Sequence, residues 1–365
     1  MWKVRTILWP ALSVGTCLFQ AALWGNGTIA RGAESLAGVS ARIARQEKAV
    51  RSIEIWAKFK LRSVIAGKGT RLRPLESAEF RALFDGLPAG RCRFDVRRML
   101  SIWFNGPAPF EEEAFSVAYN GRAGTQLKTL EGPFTKPFAV LHGRIYGHAP
   151  PNVAIFRFYA GWTATVFGFP VHLYQQRPLS ILLATPPKGW RISATSLSRG
   201  GGRHLCRLTI KMPIGTHVLL LDPDRSYAIE SDEFYPWTGR RTVSGQPVIS
   251  RRPFDGVVIH GFWEPVPGVF YPKQVKAWTC SRVSIPNPDS VFTLRVTRVR
   301  VNVRGVNPNS FIVHFPLGTT VADQSTGKVI QVGGTVEQQM QAIEKAVTAA
   351  RKEVSTQPAQ KGGGK

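Results

Sequence analysis

Residues 53–62 read Ile-Glu-Ile-Trp-Ala-Lys-Phe-Lys-Leu-Arg, an alternation of apolar side chains with mostly charged ones. Successive side chains of a β-strand point to opposite faces of the sheet, so the five apolar residues at odd-numbered positions share one face. A buried face backed by a charged face is typical of antiparallel sheets with one side in water. The stretch therefore predicts a long, half-buried antiparallel strand.

The same period of two recurs over much of the chain and predicts further strands. One begins near Phe94 and includes Leu100 and Ile102. Residues 115–129 form a predicted hairpin across Asn120-Gly121, because this dipeptide favours tight turns. The remaining predicted strands are 190–198, 204–211, 217–221, 227–232, 256–263, 269–280, 292–303 and 311–315.

Two interruptions of the pattern predict that the sheet bends. Pro272 falls inside a predicted strand and has no N–H to donate, so it predicts a sheet edge or a bulge. The apolar side of the pattern switches between Val296 and Val299, which predicts a β-bulge. We therefore predict a β-rich α+β fold built on a curved antiparallel sheet.

Helices are predicted at four places. Residues 35–50 carry apolar side chains at helical spacing, and residues 77–85 are interpreted as a short helix. Residues 133–187 are less periodic and are interpreted as an insertion with one or two helices. Residues 335–365 combine an amphipathic helix, which begins with a capping box, and a flexible tail. The glutamates at 111–113 are interpreted as a solvated loop.

The start of the chain has the pattern of a cleavable secretory signal peptide, predicted to span residues 1–32. Lys3 and Arg5 precede an apolar run that polar residues and a proline interrupt. The run is too short and too polar for a bilayer-spanning helix, which needs about 20 apolar residues. An uncleaved anchor is the alternative, and lipidation at Cys17 is disfavoured by the threonine before it. Residues 33–334 then form one predicted domain, and export places it in the periplasm or cell envelope.

The charge of the chain favours anionic partners. Lysine and arginine number 48 against 23 acidic residues, which gives a formal net charge of +25 at pH 7. No helix-turn-helix, zinc-finger spacing or aromatic ribonucleoprotein motif is found, so nucleic acid is not expected. For an exported protein, an anionic membrane or a wall polymer is the favoured partner.

Three cysteines follow the predicted cleavage site, at positions 92, 206 and 280. An oxidising compartment allows one pair to form a disulfide. Cys206 and Cys280 are the predicted pair, because both fall in strand-like stretches of the same half of the chain.

Motifs of known catalytic or metal-binding chemistry are missing from the sequence. It contains no Gly-x-Ser-x-Gly elbow, no His-Glu-x-x-His and no Walker loop. His142 and His148 are interpreted as satisfied histidines, not metal ligands. Asp222 and Asp224 flank Pro223 in a predicted turn, where such side chains accept backbone N–H bonds. We therefore predict a non-catalytic protein without a cofactor.

Three local motifs resemble one known family. Residues 221–227 resemble an x-D-P-x-x-G-Y hairpin, with Ser226 in place of glycine. Residues 261–273 resemble a strand pair with the pattern G-x-W-x-P. Residues 311–323 resemble a closing segment with the pattern F-x-x-x-F-P-x-G-T-x-V-x-D. These motifs and the order of the predicted elements resemble the lipoprotein carrier and receptor proteins of the bacterial Lol pathway.

The resemblance implies an unclosed β-barrel whose concave side, covered by helices, binds acyl chains. A lipid or an acylated protein is the implied partner, and lipoprotein sorting is the implied process. Candidate residues for the lining of the cavity are Ile55, Phe59, Leu100, Ile102, Phe156, Phe158 and Trp162.

Two other functions stay open. An envelope scaffold or sensor would have the same fold with a filled core. An enzyme that acts on wall polymer would need a pair of carboxylates lining a cleft.

Overall fold

The structure is a computed structural model that describes ten segments of the chain. They are residues 35–64, 72–85, 91–101, 110–136, 138–146, 179–199, 203–241, 247–280, 288–303 and 306–333, together with the helical positions 341 and 348. The predicted signal peptide and most of the predicted C-terminal helix and tail lie outside these residues.

Two helices and sixteen strands make up the described part of the chain. The helices are α1 (Leu36–Ala49) and α2 (Leu179–Ala184). The strands are β1 (Ser52–Ser63), β2 (Arg73–Asp85), β3 (Arg91–Ser101), β4 (Phe110–Tyr119), β5 (Gly124–Pro133), β6 (Phe138–Ile145), β7 (Arg191–Arg199), β8 (Arg203–Met212), β9 (Gly215–Asp222), β10 (Ala228–Arg241), β11 (Pro247–Ile249), β12 (Asp255–Val266), β13 (Val269–Thr279), β14 (Ser290–Val301), β15 (Thr320–Asp323) and β16 (Val329–Gln331).

All the strands belong to one open, curved sheet. Its order is β16-β15-β6-β5-β4-β3-β2-β1-β14-β13-β12-β10-β9-β8-β7, with β11 paired to β10. Among the described strand pairs, only β15 with β6 is parallel. The two ends of this order, β16 and β7, do not pair with each other, so the sheet is unclosed. The predicted fold class is confirmed.

The main core lies between one face of the sheet and the two helices. This inner face carries the odd-numbered apolar residues of β1, where Ile55 stands opposite Ala82 and Phe59 opposite Ala78. Helix α1 begins at its N-cap Ser35, whose hydroxyl accepts a hydrogen bond from the Gly38 N–H at 3.3 Å. Val39 and Ile43 of α1 and three leucines of α2 complete the apolar cluster. The even-numbered residues of β1 form the outer face.

A second, smaller core covers the outer face of β4 to β6. The segment 306–319 crosses these strands and places Val313 against Ala118, Leu127 and Leu141. At Gly143 a β-carbon would lie 2.7 Å from the Phe315 ring, so the ring packs directly on the backbone of β6.

Residues 77–85 do not form the predicted helix. They belong to β2, where Ala78, Phe80, Ala82 and Phe84 are buried in alternation. The stretch is rich in helix formers, but pairing with β1 and β3 buries its apolar side. Burial in a sheet overrides intrinsic propensity here.

Residues 133–187 contain a helix, as predicted, and also a strand that was not predicted. Within residues 133–187, the described part contains strand β6 and helix α2, while residues 147–178 lie outside it. Residues 311–315 are not a strand. Phe311 ends a 3-10 turn, and residues 312–315 then pair with no strand. The buried apolar side chains of this segment pack on the sheet without joining it.

The bulge and the proline lie where the pattern predicted them. Trp56 pairs with Arg298 and Ala57 with Val296, so Thr297 is the extra residue of the bulge. Pro272 pairs with Phe262 on β12, while the pairing of β13 with β14 begins only at Gln274. Pro272 therefore occupies an edge-like part of β13, where no partner on the β14 side needs its missing N–H.

Candidate functional site

The candidate site is the apolar layer between the inner face and the two helices. Ile55 and Phe59 lie in it and are 0% and 2% exposed. The Phe59 ring lies 6.2 Å from that of Phe292 on β14, centroid to centroid. The structure thus brings two of the predicted lining residues into one apolar cluster.

The other predicted lining residues are not placed in this layer. Leu100 is half-buried near the end of β3, opposite Glu76 and Glu111. Ile102, Phe156, Phe158 and Trp162 lie outside the described residues, so their role stays a prediction.

A cluster of charged side chains bounds the apolar layer on β2 to β5, and it lies on the inner face. Arg98 contacts Glu113 at 2.5 Å and Glu76 at 3.6 Å. Lys128 contacts Glu113 at 2.8 Å and Glu131 at 2.6 Å. This inner ionic cluster separates Leu100 from the apolar residues of β1.

Glu113 is the centre of the inner ionic cluster. Burial acts to raise its pKa, but Arg98 and Lys128 outweigh burial and hold the pKa below the usual value. Glu112 is also buried, and its carboxylate pairs with Arg97 at 2.5 Å on the outer face. The prediction of a solvated loop at 111–113 is therefore wrong. Strand pairing places Arg98 of β3 opposite Glu113. Arg97 of β3 reaches Glu112 diagonally, since Met99 stands opposite Glu112, and these contacts make the burial of both glutamates possible.

A histidine and a carboxylate are buried together within the apolar layer. His217 Nδ1 lies 3.0 Å from Asp232 Oδ1, and the two side chains are 3% and 6% exposed. The rings of His217 and Phe234 lie 4.7 Å apart. Asp232 stands opposite Leu219 and Val257, so it occupies an inner-face position. Neither residue was predicted from the sequence to belong to a site.

The two covering helices are joined by polar contacts. The Ser40 hydroxyl donates to the Ser180 carbonyl oxygen at 3.0 Å. The Glu47 carboxylate accepts hydrogen bonds from the Ser180 N–H, at 3.3 Å, and from the Ser180 hydroxyl. Burial raises the pKa of Glu47 although these hydrogen bonds act to lower it. The helices therefore form one unit over the apolar layer.

The predicted disulfide is not formed. Cys206 and Cys280 are both buried thiols in the structure. Cys206 lies on β8 and Cys280 follows β13, so β9, β10 and β12 intervene in the sheet. A disulfide requires Cα atoms within about 7 Å. Burial, with Asp289 and Asp255 nearby, raises the pKa of Cys280 to about 11.

Apart from Glu47, the buried carboxylates of the described segments each contact a basic side chain. Asp222 accepts from Arg203 at 2.6 Å and from Arg225 at 2.8 Å. Its other oxygen accepts from the Asp224 N–H at 3.0 Å, as the turn motif predicted. Residue Ser226 has a φ of 52°, the left-handed conformation that the glycine of the resembled motif would adopt. Carboxylates held in this way stabilise turns and strands.

The described residues contain no group of three or more His, Cys, Asp and Glu side chains placed to hold a metal ion. Neither of the two described helices has the length and apolar composition that crossing a membrane requires.

Several solved structures match most of the chain at low sequence identity. An outer-membrane lipoprotein-sorting protein domain from Vibrio parahaemolyticus matches with a TM-score of 0.39 and 9% identity, over 75% of this chain and 95% of that one. The sequence motifs had predicted the same resemblance.

Two more structures match over most of their length. A DUF1329 family protein from Desulfovibrio piger has a TM-score of 0.34 and 9% identity, with 81% of this chain and 100% of that one covered. LprF from Mycobacterium bovis has a TM-score of 0.23 and 10% identity, with 76% and 99% covered. No protein-family model and no curated protein sequence matches the chain.

Proposed function

We propose that the protein is an exported, non-catalytic carrier that holds an apolar ligand between the inner face and helices α1 and α2. The ligand is a lipid or the acyl group of an acylated protein. One observation carries the proposal: a pair of short helices, rather than a second sheet, covers the apolar layer. Two helices that are joined to each other can move as one cover and admit an acyl chain.

The ends of the cover support this arrangement. Helix α1 is fixed at its C-terminal end, where the Asn302 side chain donates to the Ala49 carbonyl at 2.8 Å and accepts from the Arg51 N–H at 2.8 Å. Helix α1 contacts Ser180 of α2 through Ser40, near its other end, and through Glu47. Movement about the anchored end would open the layer without breaking strand pairing.

The chain positions of the motifs support a place in the cell envelope. The predicted signal peptide precedes α1, and the three resembled motifs lie in β9 to β15. On this basis we place the carrier in the periplasm or cell envelope and associate it with lipoprotein sorting.

Native mass spectrometry and fatty-acid uptake test the proposal. The wild-type protein is expected to purify with bound lipid, or to take up a fluorescent fatty acid after delipidation. Ala82 is fully buried on β2, opposite Ile55 and Phe94. Ala82→Leu adds volume at the inner face and should reduce uptake while the fold is retained.

Ala41→Leu, on the exposed side of α1, is the matched control and should leave uptake unchanged. A wild-type protein without bound lipid and without uptake would overturn the carrier function. It would favour a scaffold or sensor with a filled core. In that case Ala82→Leu would only lower stability, by about 1–3 kcal/mol.

A further inference from the structure

The outer face of β1, β14 and β13 is strongly basic, and the proposed function makes no use of it. Its outward side chains include seven lysines and arginines but one carboxylate, that of Glu54. This basic face consists of Trp56, Lys58, Lys60, Arg62, Lys276, Trp278, Arg295, Arg298 and Arg300, with Glu54 among them.

The single carboxylate is already neutralised. Glu54 is buried and accepts from Arg81 of the neighbouring β2 at 2.6 Å, and Arg300 lies 3.7 Å from its other oxygen. Lys58 pairs with Glu79 of β2 at 2.6 Å. The remaining cations keep the face positive.

Four of the cations are exposed and contact no carboxylate of the described residues. They are Lys60, Lys276, Arg295 and Arg298. Within a sheet, exposed basic residues normally stand opposite acidic ones, because like charges that face each other destabilise the pairing. Here Arg295 stands directly opposite Lys58, and Thr293 separates Lys60 from Lys276. Glu79 offsets the charge of Lys58, and an external anion would offset the charges of Arg295, Lys60 and Lys276.

Two tryptophans lie among these cations. Trp56 is half-buried, and the guanidinium carbons of Arg298, Arg300 and Arg81 lie 4.8, 5.6 and 5.8 Å from its ring centre. Trp278 packs against Gly256, where a β-carbon would be 2.2 Å from the indole. Indole rings favour the interface between water and lipid, while basic groups favour anionic headgroups.

We infer that this basic face docks the protein on an anionic phospholipid bilayer. The positive charge of the basic face requires a partner of negative charge. The two half-buried indoles favour a lipid interface over a soluble polyanion. Docking through the outer face leaves α1 and α2, on the opposite side of the sheet, directed away from the bilayer. The inference is independent of the ligand in the apolar layer.

Sedimentation with vesicles tests the inference on the full chain. The wild-type protein should bind vesicles of mixed phosphatidylglycerol and phosphatidylcholine, bind phosphatidylcholine alone far more weakly, and dissociate as salt is added. The double variant Arg295→Gln/Arg298→Gln should bind the anionic vesicles about thirtyfold more weakly. Each basic residue near the membrane surface contributes roughly 1 kcal/mol to binding, and a loss of about 1.4 kcal/mol weakens binding about tenfold.

Lys188→Gln/Arg191→Gln is the matched control, because both residues are exposed at the β7 end of the sheet and the charge loss is the same. This control should bind nearly as tightly as wild type. Equal weakening of the two double variants would overturn the inference in favour of a net-charge effect. Binding to soluble polyphosphate but not to anionic vesicles would overturn it in favour of a polymer. Uptake of fatty acid should be unchanged in both double variants, which separates this result from the carrier function.

Discussion

Glu47 on α1 accepts two hydrogen bonds from Ser180 on α2, 133 positions further along the chain. This contact joins the two helices over the apolar layer at a carboxylate whose pKa burial has raised. Because the folded state holds a proton on Glu47 more tightly than the unfolded state, protonation stabilises the fold at this position.

The contribution of Glu47 should therefore depend on pH. The stabilisation of the fold by protonated Glu47 is fully present below the pKa of this residue in the unfolded chain, near 4.5. It is lost as the pH rises through the higher pKa of Glu47 in the folded protein. Glu47→Gln mimics the protonated form and should be more stable than wild type at pH 7.5, but about equal to it at pH values below the unfolded pKa. Urea unfolding over this range measures the difference.

Glu264→Gln, at an exposed position on β12, removes the same charge away from the helices and serves as the control. An unfolding free energy of Glu47→Gln that keeps a constant offset from wild type over the whole pH range would contradict this account of the helix contact.

The turn between β9 and β10 offers a comparison of two neighbouring aspartates. Asp222 is 1% exposed, and its carboxylate accepts hydrogen bonds from Arg203, Arg225 and the Asp224 N–H. Asp222→Ala should lower the free energy of unfolding by about 2–3 kcal/mol, because it removes hydrogen bonds that involve charged groups. Asp224→Ala, two positions away and exposed, should change it by less than about 0.5 kcal/mol. Equal effects in chemical denaturation would show that the buried carboxylate does not hold the turn.

Phe315 packs so closely on Gly143 that we expect even one added methyl group at this position to lower stability. A β-carbon at Gly143 would lie 2.7 Å from the Phe315 ring and 2.8 Å from Val321. Gly143→Ala should cost about 1–3 kcal/mol of stability. Gly333→Ala, where a β-carbon would meet no atom within 4 Å, should cost little. The cost at Gly143 should shrink in a Phe315→Ala background, and thermal unfolding of the double variant checks whether the two positions are coupled.

The cysteines should remain thiols after purification under oxidising conditions. Three strands separate Cys206 from Cys280, and burial raises the pKa of Cys92 to about 12. Peptide mapping without reductant should show no link between positions 206 and 280, and the melting temperature should not change when reductant is added. A linked peptide at stoichiometric yield would require a different strand order.

Much of the sheet is predictable because its pattern depends on local alternation. The inner-face positions of β1 follow from residues 53–62, and Thr297 is the bulge that the switch after Val296 predicts. Asn120 closes the predicted hairpin, where its side chain accepts from the Ala123 N–H at 2.8 Å. These features need no information from distant parts of the chain.

The polar residues of the inner face were not predictable in this way. His217, Asp232 and Glu113 occupy positions where alternation requires apolar side chains, and each is stabilised by a partner on another strand. Only the pairing register shows which partner stands opposite. The helix interpretation of residues 77–85 failed for the same reason, since β2 gains its stability from β1 and β3.

The pairing of β1 with β14 has a consequence for the order of folding. The Arg51 N–H donates to the Asn302 side chain 251 positions later, so the middle of the sheet joins the two ends of the domain. Contacts between such distant residues form slowly, because the loop must close before it is stabilised. During synthesis the N-terminal part of the chain appears first. Strand β1, with its apolar side and open edge, must therefore be kept from aggregating until almost the whole domain is present.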